Sequence, residues 1–450
     1  MTFTAIILAA GKGTRMRSSL AKPLHRLGGK PLLNWVLDSA ITANASDAVI
    51  VVGTDGSQVS DHVNAMKDAY PCPIQAVIQD PPLGTGHAVA ASADTLKHHD
   101  GIAVIAFADT PLVSADEFYA LVNGISEDGH DICCLGFEAD DPSGYGRLIQ
   151  DDKQSISAIV EDKAADAKTR AISLCNSGMM AVRMPLLFDL LEKIGFNAQT
   201  GEKFLTDIIS AAYQAGHSVG CVMATEENVM GINNRVDLAK AEAIIQKRLR
   251  HKAMIDGVTL IDPDTVYLSA NAQIAEDVII YPHVVIGPDV RIANGAEIKS
   301  FSHIEGADIG ACAVIGPYAR LRPGTVLEEG VKIGNFVETK NITMGAMAKA
   351  NHLTYLGDAE IGADANIGAG TITCNYNGIR KSMTRIGAAA FIGSNSALVA
   401  PVNIGAGAMV GAGSTITTDV EDNALAVVRA DTKSITDGAT TYRNREKGKS

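Results

Sequence analysis

The sequence predicts an α/β protein with two unlike halves, a parallel α/β sheet followed by a parallel β-helix. Three observations predict this fold class. Short continuous apolar runs alternate with helix-like stretches in the first half, aliphatic residues recur at every sixth position in the second half, and 450 residues leave room for two or three domains. The 43 glycines and the aromatic fraction of 5% fit many tight turns and small inward-facing side chains.

The first half contains five short apolar runs, and such runs are typical of strands that are buried on both faces. A helix is predicted directly after Pro31, because apolar residues fall at helical spacing from Leu32 to Ile41. Since strands and helices alternate, we expect a sheet that binds its ligand at the carboxyl ends of the strands. The predicted strands are 6–10, 49–53, 74–78, 102–107 and 132–135.

One long helix is predicted over 235–252. Asn234 can cap its start, and Gly257 lies just past its end. Its last turns are basic, which indicates either a solvated end that complements the helix dipole or a binding patch. The apolar stripe is Val236, Leu238, Ala241, Ile245 and Leu249, and the basic cluster is Lys247, Arg248, Arg250, His251 and Lys252. We therefore predict a first domain over 1–228, a linker with this helix over 229–252, and a second domain with a C-terminal tail over 253–450.

The second domain carries a six-residue repeat of aliphatic residues. A period of six predicts a parallel β-helix, because each repeat adds one aliphatic side chain to a continuous core. The period breaks near 340–360 and 374–385, where we expect outer loops that carry function. The polar segment 430–450 predicts a loose tail. The repeat positions are Leu268, Ile274, Ile280, Ile286, Ile292, Ile298, Ile304, Ile309, Ile315, Leu321, Leu327, Ile333, Ile361, Ile367, Ile386, Ile392, Leu398, Ile404, Val410 and Ile416.

Charge and cysteine usage exclude several classes of protein. A net charge of −13 argues against a nucleic-acid or anionic-membrane scaffold. The 7 cysteines show no metal-ligand spacing and fit free thiols in a reducing compartment. No apolar run reaches the roughly 18 residues that cross a bilayer, and the N-terminus lacks the basic segment of a signal peptide. We expect a cytoplasmic protein with small-molecule substrates and without nucleic-acid or membrane partners.

The first strand leads into a glycine-rich basic loop over 8–16. Gly11 and Gly13 would let backbone N–H groups approach phosphate oxygens, and Lys12, Arg15 and Lys22 could neutralise them. The loop matches neither the dinucleotide-binding glycine fingerprint nor a P-loop. By itself it is therefore either a phosphate site or a structural turn.

Asp109 follows the predicted strand 102–107, at the sheet edge where ligands bind. A lone carboxylate suits Mg²⁺, which takes one or two protein ligands together with substrate phosphates. The alternative is a turn or helix-capping aspartate. The segments 84–87, 144–147 and 176–178 are likewise turns unless they hold a nucleotide base or a sugar.

Several motifs together resemble one enzyme family along almost the whole chain. They are LAAGKGTRM at 8–16, LGTGHA at 83–88, GYGR at 144–147, GINNR at 231–235 and GPYARLRPG at 316–324, with the more specific NHLTYLGDAEIG at 351–362 and NIGAGTITCNYNG at 366–378. The sequence resembles the bacterial bifunctional N-acetylglucosamine-1-phosphate uridylyltransferase/glucosamine-1-phosphate acetyltransferases. The resemblance implies a Rossmann-like nucleotidyltransferase domain followed by a left-handed β-helix of hexapeptide repeats.

The resemblance implies that the first domain joins UTP to N-acetylglucosamine 1-phosphate and releases pyrophosphate. Arg15 would stabilise the charge that develops at the α-phosphate, with help from Lys22. Ala108 stands where the family often has glycine, and Ala164 where an aspartate is common. The implied binding residues are Leu8, Ala9, Ala10, Gly11, Gly13, Arg15 and Lys22 for the nucleotide, Gln79, Gly84 and Thr85 for the uracil, Gly146, Glu161 and Asn176 for the sugar, and Asp109 and Asn233 for Mg²⁺.

The resemblance implies that the second domain trimerises and acetylates glucosamine 1-phosphate from acetyl-CoA. His352 would be the general base that takes a proton from the attacking amine, a role that suits imidazole because it titrates near neutral pH. Arg322 and Lys340 would bind the sugar phosphate, and Tyr355 and Asn366 would orient the sugar. The implied acetyl-CoA residues are Ala369, Asn375, Tyr376, Ser394, Ala412 and Arg429.

Two other classes of function are alternatives to this two-site enzyme. One is a single-activity sugar-phosphate nucleotidyltransferase whose β-helix is an assembly or regulatory arm, and the other is a non-catalytic scaffold. The set of Arg15, Lys22 and Asp109 argues against the scaffold. The presence of His352 and Lys340 together with Asn375–Tyr376 argues against the single-activity enzyme.

Overall fold

The computed structural model describes residues 1–96 and 99–448. The chain forms two compact units, Met1–Lys247 and Arg248–Ser450. Among the described residues, no helix has the length and apolarity needed to cross a membrane. The domain boundaries predicted at 228 and 252 remain predictions.

The first unit is built on a mixed sheet whose strands are mainly parallel, in the order β11-β7-β10-β6-β1-β4-β5. Strand β10 runs antiparallel to β6 and β7, and β8 and β9 extend the sheet from β10. All five predicted strands are confirmed. The strands are β1 Phe3–Leu8, β2 Arg26–Leu27, β3 Lys30–Pro31, β4 Ala45–Gly53, β5 Ile74–Gln79, β6 Ile102–Phe107, β7 Ile132–Glu138, β8 Gly146–Gln150, β9 Ile156–Val160, β10 Leu174–Arg183 and β11 Val219–Met223; β2 and β3 form a separate two-stranded sheet.

Helices cover both faces of this sheet. Alternate residues of β1 point to opposite faces, and each set packs against a different group of helices. Ile7 packs with residues of α1, α2 and α5, whereas Ile6 packs with residues of α3, α7 and α8. The helices of the first unit are α1 Leu32–Thr42, α2 Ser57–Met66, α3 Thr85–Ala90, α4 Ala93–Leu96, α5 Ala115–Ser126, α6 Ala167–Arg170, α7 Met184–Lys193 and α8 Asp207–Gln214. Leu8 pairs with Phe107 of β6 and with Val51 of β4, so these parallel strands end at one edge of the sheet.

The long helix α9 spans Arg235–Ile255, and the Oδ1 atom of Asn234 caps it by accepting hydrogen bonds from the N–H groups of Val236 and Asp237. The predicted apolar stripe is confirmed at Ala241 and Ile245, which are buried. It is wrong at Val236, which is 64% exposed, because this residue lies in the first turn of the helix next to the cap. Arg250 and Lys252 of the basic cluster form ion pairs with Asp264 and Asp256, which favours the solvated-end interpretation.

The second unit is a parallel β-helix whose short strands stack into three faces. Face 1 consists of Thr259–Leu260, Ile279–Ile280, Glu297–Ile298, Val314–Ile315, Lys332–Asn335, Lys349–His352, Asn366–Ile367, Phe391–Ile392, Met409–Val410 and Leu425–Ala426. Face 2 consists of Tyr267–Leu268, Val285–Ile286, His303–Ile304, Arg320–Leu321, Ile372–Cys374, Ala397–Val399 and Thr415–Ile416. Face 3 consists of Gln273–Ile274, Arg291–Ile292, Ala307–Ile309, Thr325–Leu327, Thr384–Ile386 and Val402–Ile404, and the longer strands Glu338–Met344 and Tyr355–Ile361 belong to faces 2 and 3.

The predicted six-residue repeat places its aliphatic residues in one continuous core. Ile280, Ile298, Ile315 and Ile333 pair in register on face 1, and each is buried. The fold class predicted from the repeat is confirmed.

The outer loop predicted at 340–360 is wrong, because this stretch forms regular coils. Ile333 pairs with Ala350, and Ala350 pairs with Ile367, so the stack continues without interruption. The aliphatic period is hidden because Thr339 and Ala350 occupy inward positions, where both are fully buried. The second predicted loop is confirmed between Cys374 and Thr384, where the stack is interrupted by an insertion.

The segment predicted as a loose tail contains a helix. Residues Gly438–Lys447 form helix α10, which buries none of its side chains. Helical backbone hydrogen bonds need no apolar face, so a polar composition does not by itself exclude a helix.

Candidate active sites

The glycine-rich loop leaves β1 at the sheet edge and closes in a single helical turn, Thr14–Met16. Gly13 precedes this turn with φ of 58°, a conformation that L side chains avoid. A Cβ atom on Gly13 would also lie 2.6 Å from the Cβ of Lys22. A Cβ on Gly11, by contrast, would meet nothing within 4 Å. Gly13 therefore serves the local packing, and Gly11 faces open space.

Lys22 lies at the centre of the first candidate site. Its Nζ atom is 2.6 Å from Asp109 Oδ2 and 3.3 Å from Asn233 Oδ1. Arg15 Nη2 donates to the same Asn233 oxygen at 2.9 Å. Two oxygens and two cations thus converge from three segments that are distant in the sequence.

Backbone contacts place Asn233 beside Asp109. The N–H of Ile232 donates to the Asp109 carbonyl at 2.8 Å, and the N–H of Asn233 donates to Asp237 Oδ2 at 2.9 Å. Ala108 is buried and donates its N–H to the Leu8 carbonyl. Its φ is not positive, so alanine fits at this position without backbone strain.

An open cavity of about 350 Å³ lies over this cluster. Its wall contains Leu8, Ala9, Gly11, Lys12, Gly13, Thr14, Arg15, Lys22, Pro23, Ala108, Asp109 and Asn233. An adjoining cavity includes Ala10 and the residues at the end of β4. The structure therefore brings together all of the residues predicted for the triphosphate and for Mg²⁺.

The residues predicted to bind uracil lie together near the end of β5. Gln79 is buried at the end of β5, and its side-chain amide donates to the Gly84 carbonyl at 2.9 Å. Thr85 Oγ1 accepts from the N–H of Leu205 at 3.0 Å. A Cβ on Gly84 would lie 2.7 Å from the Lys203 carbonyl oxygen. These contacts fix the loop 83–86 against 203–205.

The residues predicted to bind the sugar lie on β8, β9 and β10. Gly146 pairs with Asn176, and a Cβ on Gly146 would lie 3.6 Å from Glu161 Oε2. The pKa of Glu161 is raised, chiefly because neighbouring atoms displace water from its carboxylate, although part of the residue remains exposed. Asn176 Oδ1 accepts from the N–H of Gly178. The three residues are neighbours, as the resemblance implied.

Arg147, which sequence analysis did not single out, holds this region together. It is 2% exposed, and its guanidinium donates to the carbonyls of Tyr145, Ile172 and Arg170. It also pairs with Asp162 at 3.2 Å. The GYGR motif reveals the presence of an arginine, but only the structure reveals that it is buried.

His352 lies at the end of a face-1 strand, at a corner of the β-helix. Its Nδ1 atom is 2.7 Å from Asn335 Oδ1 on the preceding coil. An amide oxygen only accepts, so Nδ1 carries a proton, and in the neutral ring Nε2 keeps its lone pair. This tautomer has the unprotonated nitrogen that a general base needs.

His352 begins a column of residues at equivalent positions on successive coils. Ala350, Ile367, Ile392 and Val410 pair in register, so the residues two positions further along also stack. Those residues are His352, Ala369, Ser394 and Ala412. Neighbouring strands lie about 4.8 Å apart, so the column forms a straight track of mostly small side chains leading away from the imidazole. Arg429 is exposed just beyond its far end, after the last face-1 strand.

Three cations gather on face 2. Arg322 and Lys340 lie on adjacent coils, and Arg322 Nη1 donates to Glu338 at 2.9 Å. The pKa of Lys340 is lowered, first by a hydrogen-bonding contact with Lys381 and by its positive charge, and then by the charge of Arg322. Lys381 was missed by sequence analysis. In the sequence, its only signal is that it is a basic residue near the end of the insertion. In the structure, its backbone forms an isolated antiparallel β-bridge with Tyr376.

The remaining predicted residues surround this part of the β-helix. The Tyr355 hydroxyl lies over Gly357, where a Cβ would come 2.3 Å from it. Asn375 is buried and donates to Asp358 at 2.5 Å, whereas Tyr376 is exposed and donates to the Gly378 carbonyl. Asn366 is half-buried at the start of a face-1 strand.

Comparisons with known proteins identify the family. The profile of the MobA-like NTP transferase domain matches residues 5–174, and that of the bacterial transferase hexapeptide repeat matches residues 271–306 and 383–418. The bifunctional protein GlmU of Zymomonas mobilis subsp. mobilis is 48% identical over 401 residues, which cover 89% of this chain and 88% of that protein. This chain belongs to the GlmU family. The GlmU proteins of Caulobacter vibrioides and Roseobacter denitrificans are 48% and 47% identical to it, covering 88% and 89% of this chain and 85% and 88% of theirs.

Membership of the GlmU family confirms the activities predicted from the motifs. The chain is a bifunctional enzyme, an N-acetylglucosamine-1-phosphate uridylyltransferase and a glucosamine-1-phosphate acetyltransferase. It acts on nucleotide and other small-molecule substrates, and GlmU proteins typically use a divalent metal. A solved structure of UDP-glucose pyrophosphorylase complexed with UDP-glucose is 17% identical, covers 55% of this chain and all of that chain, and has a TM-score of 0.46; this likeness is too distant to bear on function.

Proposed function

We propose that uridylyl transfer takes place over the cluster of Arg15, Lys22, Asp109 and Asn233. The observation that supports it is the convergence of the Asp109 and Asn233 oxygens on the ammonium of Lys22, next to Arg15. A phosphate oxygen of N-acetylglucosamine 1-phosphate attacks the α-phosphorus of UTP, and pyrophosphate leaves. The reaction needs aligned reactants and charge neutralisation rather than a protein nucleophile. The two cations supply the neutralisation, with Arg15 acting at the α-phosphate.

Asp109 and Asn233 fit Mg²⁺ as the proposed metal. Carboxylate and amide oxygens are ligands of this ion, and both already point at one cationic centre, the Lys22 ammonium. Within residues 1–96 and 99–448, no three His, Cys, Asp or Glu side chains gather as metal ligands. The protein therefore offers a partial coordination shell, as suits an ion that shares the phosphates of its substrate. When bound, Mg²⁺ would add positive charge at the phosphates.

Acetyl transfer takes place at His352. Nε2 takes a proton from the glucosamine nitrogen, which attacks the thioester carbonyl of acetyl-CoA. The C–N bond forms, the C–S bond breaks, and the proton passes to the departing CoA thiolate. Asn335 positions the imidazole by accepting the proton of Nδ1. Arg322 and Lys340 bind the sugar phosphate, and Tyr355 and Asn366 orient the sugar.

Acetyl-CoA lies along the column that begins at His352. The small side chains of Ala369, Ser394 and Ala412 leave room for an extended chain to approach the backbone, and Arg429 offers a positive charge at the far end. The assembly proposed is a homotrimer with acetyl-CoA bound between neighbouring chains, in keeping with the hexapeptide repeat. The location proposed is the cytoplasm, which fits the seven free cysteines.

Two variants test the assignment in one split assay with Mg²⁺, following free thiol for acetyl transfer and pyrophosphate for uridylyl transfer. His352→Ala should lose acetyl transfer by about 10²- to 10⁴-fold, the usual contribution of a general base, and keep uridylyl transfer. Asn335→Ala should lower acetyl transfer by a smaller factor, because the base remains but its tautomer is no longer fixed. Equal loss of both activities in His352→Ala would refute the assignment.

Asp109→Ala is the matched variant for the first unit. It should lose Mg²⁺-dependent pyrophosphate release and keep acetyl transfer, because the carboxylate is the only charged ligand proposed for the ion. Uridylyl transfer at the unaltered rate would place the metal elsewhere. Pyrophosphate release without any thiol release in the unsubstituted protein would favour the single-activity alternative.

A further inference from the structure

Arg235, the first residue of α9, contacts two loops of the first unit at once. Its Nε atom donates to the Met16 carbonyl at 3.3 Å, and its Nη1 atom lies 3.2 Å from His25 Nδ1. The side chain is partly exposed, yet both contacts involve its guanidinium. Neither of these contacts has a part in the chemistry proposed above.

Each contacted residue ends a short helical turn that carries one of the cations of the site. Met16 ends the turn Thr14–Met16, which contains Arg15. His25 caps the turn Lys22–Leu24, because its N–H donates to the Lys22 carbonyl at 3.2 Å. The planar guanidinium offers donors in fixed directions, so one side chain ties both turns to the start of α9.

The histidine partner is suited to this contact only when it is neutral. A guanidinium only donates, so His25 Nδ1 accepts and the ring proton sits on Nε2. His25 is 4% exposed. Burial lowers the pKa of His25, the charge of Arg235 lowers it further, and a smaller effect of a backbone hydrogen bond with Leu20 raises it. Burial therefore keeps the ring in the form that accepts from Arg235.

Arg235 is also two residues from Asn233, whose side chain accepts from both Arg15 and Lys22. We propose that Arg235 is a positioning residue for uridylyl transfer, which fixes Arg15, Lys22 and the Asn233 loop relative to one another. It does not touch the substrate in this proposal. The inference rests on the uridylyl-transfer site proposed above and adds the residue that assembles it.

The test compares Arg235→Ala and Arg235→Lys in the full chain. Misplacement of catalytic groups by about 1 Å can cost 10²-fold, so Arg235→Ala should lower kcat/KM for UTP by about that factor, through a raised KM and a lowered kcat together. Arg235→Lys keeps the charge but not the two-directional donors, so it should recover only part of the rate. The matched control is Arg17→Ala, because Arg17 is an exposed arginine directly after the turn Thr14–Met16. This variant should have the activity of the unsubstituted protein.

Chemical rescue separates positioning from a general loss of folding. Millimolar guanidinium chloride should restore part of the uridylyl transfer of Arg235→Ala, whereas equal sodium chloride should not, and acetyl transfer should be unchanged throughout. An Arg235→Ala protein as active as the unsubstituted one would overturn the inference. Loss without rescue, accompanied by a lowered Tm of the first unit, would also overturn it. The proposed site itself would fail differently, by a lack of effect of Asp109→Ala.

Discussion

At the scale of single residues, the two glycines of the basic loop have different roles. Gly13 is required for the fold of the loop, and Gly11 is proposed to leave room for the nucleotide. Gly13→Ala should destabilise the first unit by about 1–2 kcal/mol, because φ is 58° and the new Cβ would lie 2.6 Å from Lys22 Cβ. Uridylyl transfer should fall as well, since Lys22 must move. The single tryptophan, Trp35, lies in the first unit, so its fluorescence during urea unfolding measures this change.

Gly11→Ala is the matched control for that prediction. A Cβ there would meet nothing within 4 Å, so the stability of the first unit should be unchanged. If Gly11 faces the nucleotide, as proposed, KM for UTP should nevertheless rise because the methyl group occupies space next to the ligand. Equal stability of Gly13→Ala and Gly11→Ala would contradict this division of roles.

The residues that sequence analysis missed are those whose importance depends on a neighbour distant in the chain. His352 was predicted from its motif, but Asn335 becomes its partner only because the two residues lie on adjacent coils. Lys381 likewise joins Lys340 only through the insertion loop. Motif residues were predictable because their spacing is local, whereas these partners depend on how the coils stack.

At the scale of elements, the coils near 340–360 show how a repeat can continue without its aliphatic signal. Thr339 takes an inward position that Leu321 and Leu356 fill on the coils on either side, and all three are buried. Its hydroxyl lies 2.9 Å from Thr325 Oγ1, which donates to the Arg322 carbonyl. A polar side chain is thus satisfied inside the core, and a search for aliphatic residues cannot find it.

This threonine pair predicts an asymmetry between two variants. Thr339→Val removes one donor and leaves the Thr325–Arg322 bond, so it should cost about 0.5–1.5 kcal/mol. Thr325→Val leaves the buried Thr339 hydroxyl without its partner, and the Arg322 carbonyl keeps only the backbone N–H of residue 325 at 3.3 Å, so it should cost about 1–3 kcal/mol. Far-UV circular dichroism during urea unfolding measures both, because the second unit contains no tryptophan. A larger cost for Thr339→Val would mean that the hydroxyls are arranged differently.

At the scale of the whole molecule, the two activities are carried by separate units. The residues proposed for uridylyl transfer all lie in Met1–Lys247, and those proposed for acetyl transfer all lie in Arg248–Ser450. The length, the alternating strands and the repeat were sufficient to predict these two architectures. The acetyl-transfer product, N-acetylglucosamine 1-phosphate, is the acceptor for the uridylyl transfer, so it must reach a second site.

Mixing two inactive variants tests how the intermediate travels. Neither His352→Ala nor Asp109→Ala alone should convert glucosamine 1-phosphate, acetyl-CoA and UTP into UDP-N-acetylglucosamine, because each lacks one step. Their mixture should do so if the intermediate diffuses freely, with a lag while N-acetylglucosamine 1-phosphate accumulates in solution. Added N-acetylglucosamine 1-phosphate should abolish the lag. The contrary outcome is a mixture that forms no product although each variant keeps its remaining activity. The intermediate would then pass only within one chain or one assembly. In that case the two units would work as a coupled pair rather than as two enzymes on one polypeptide.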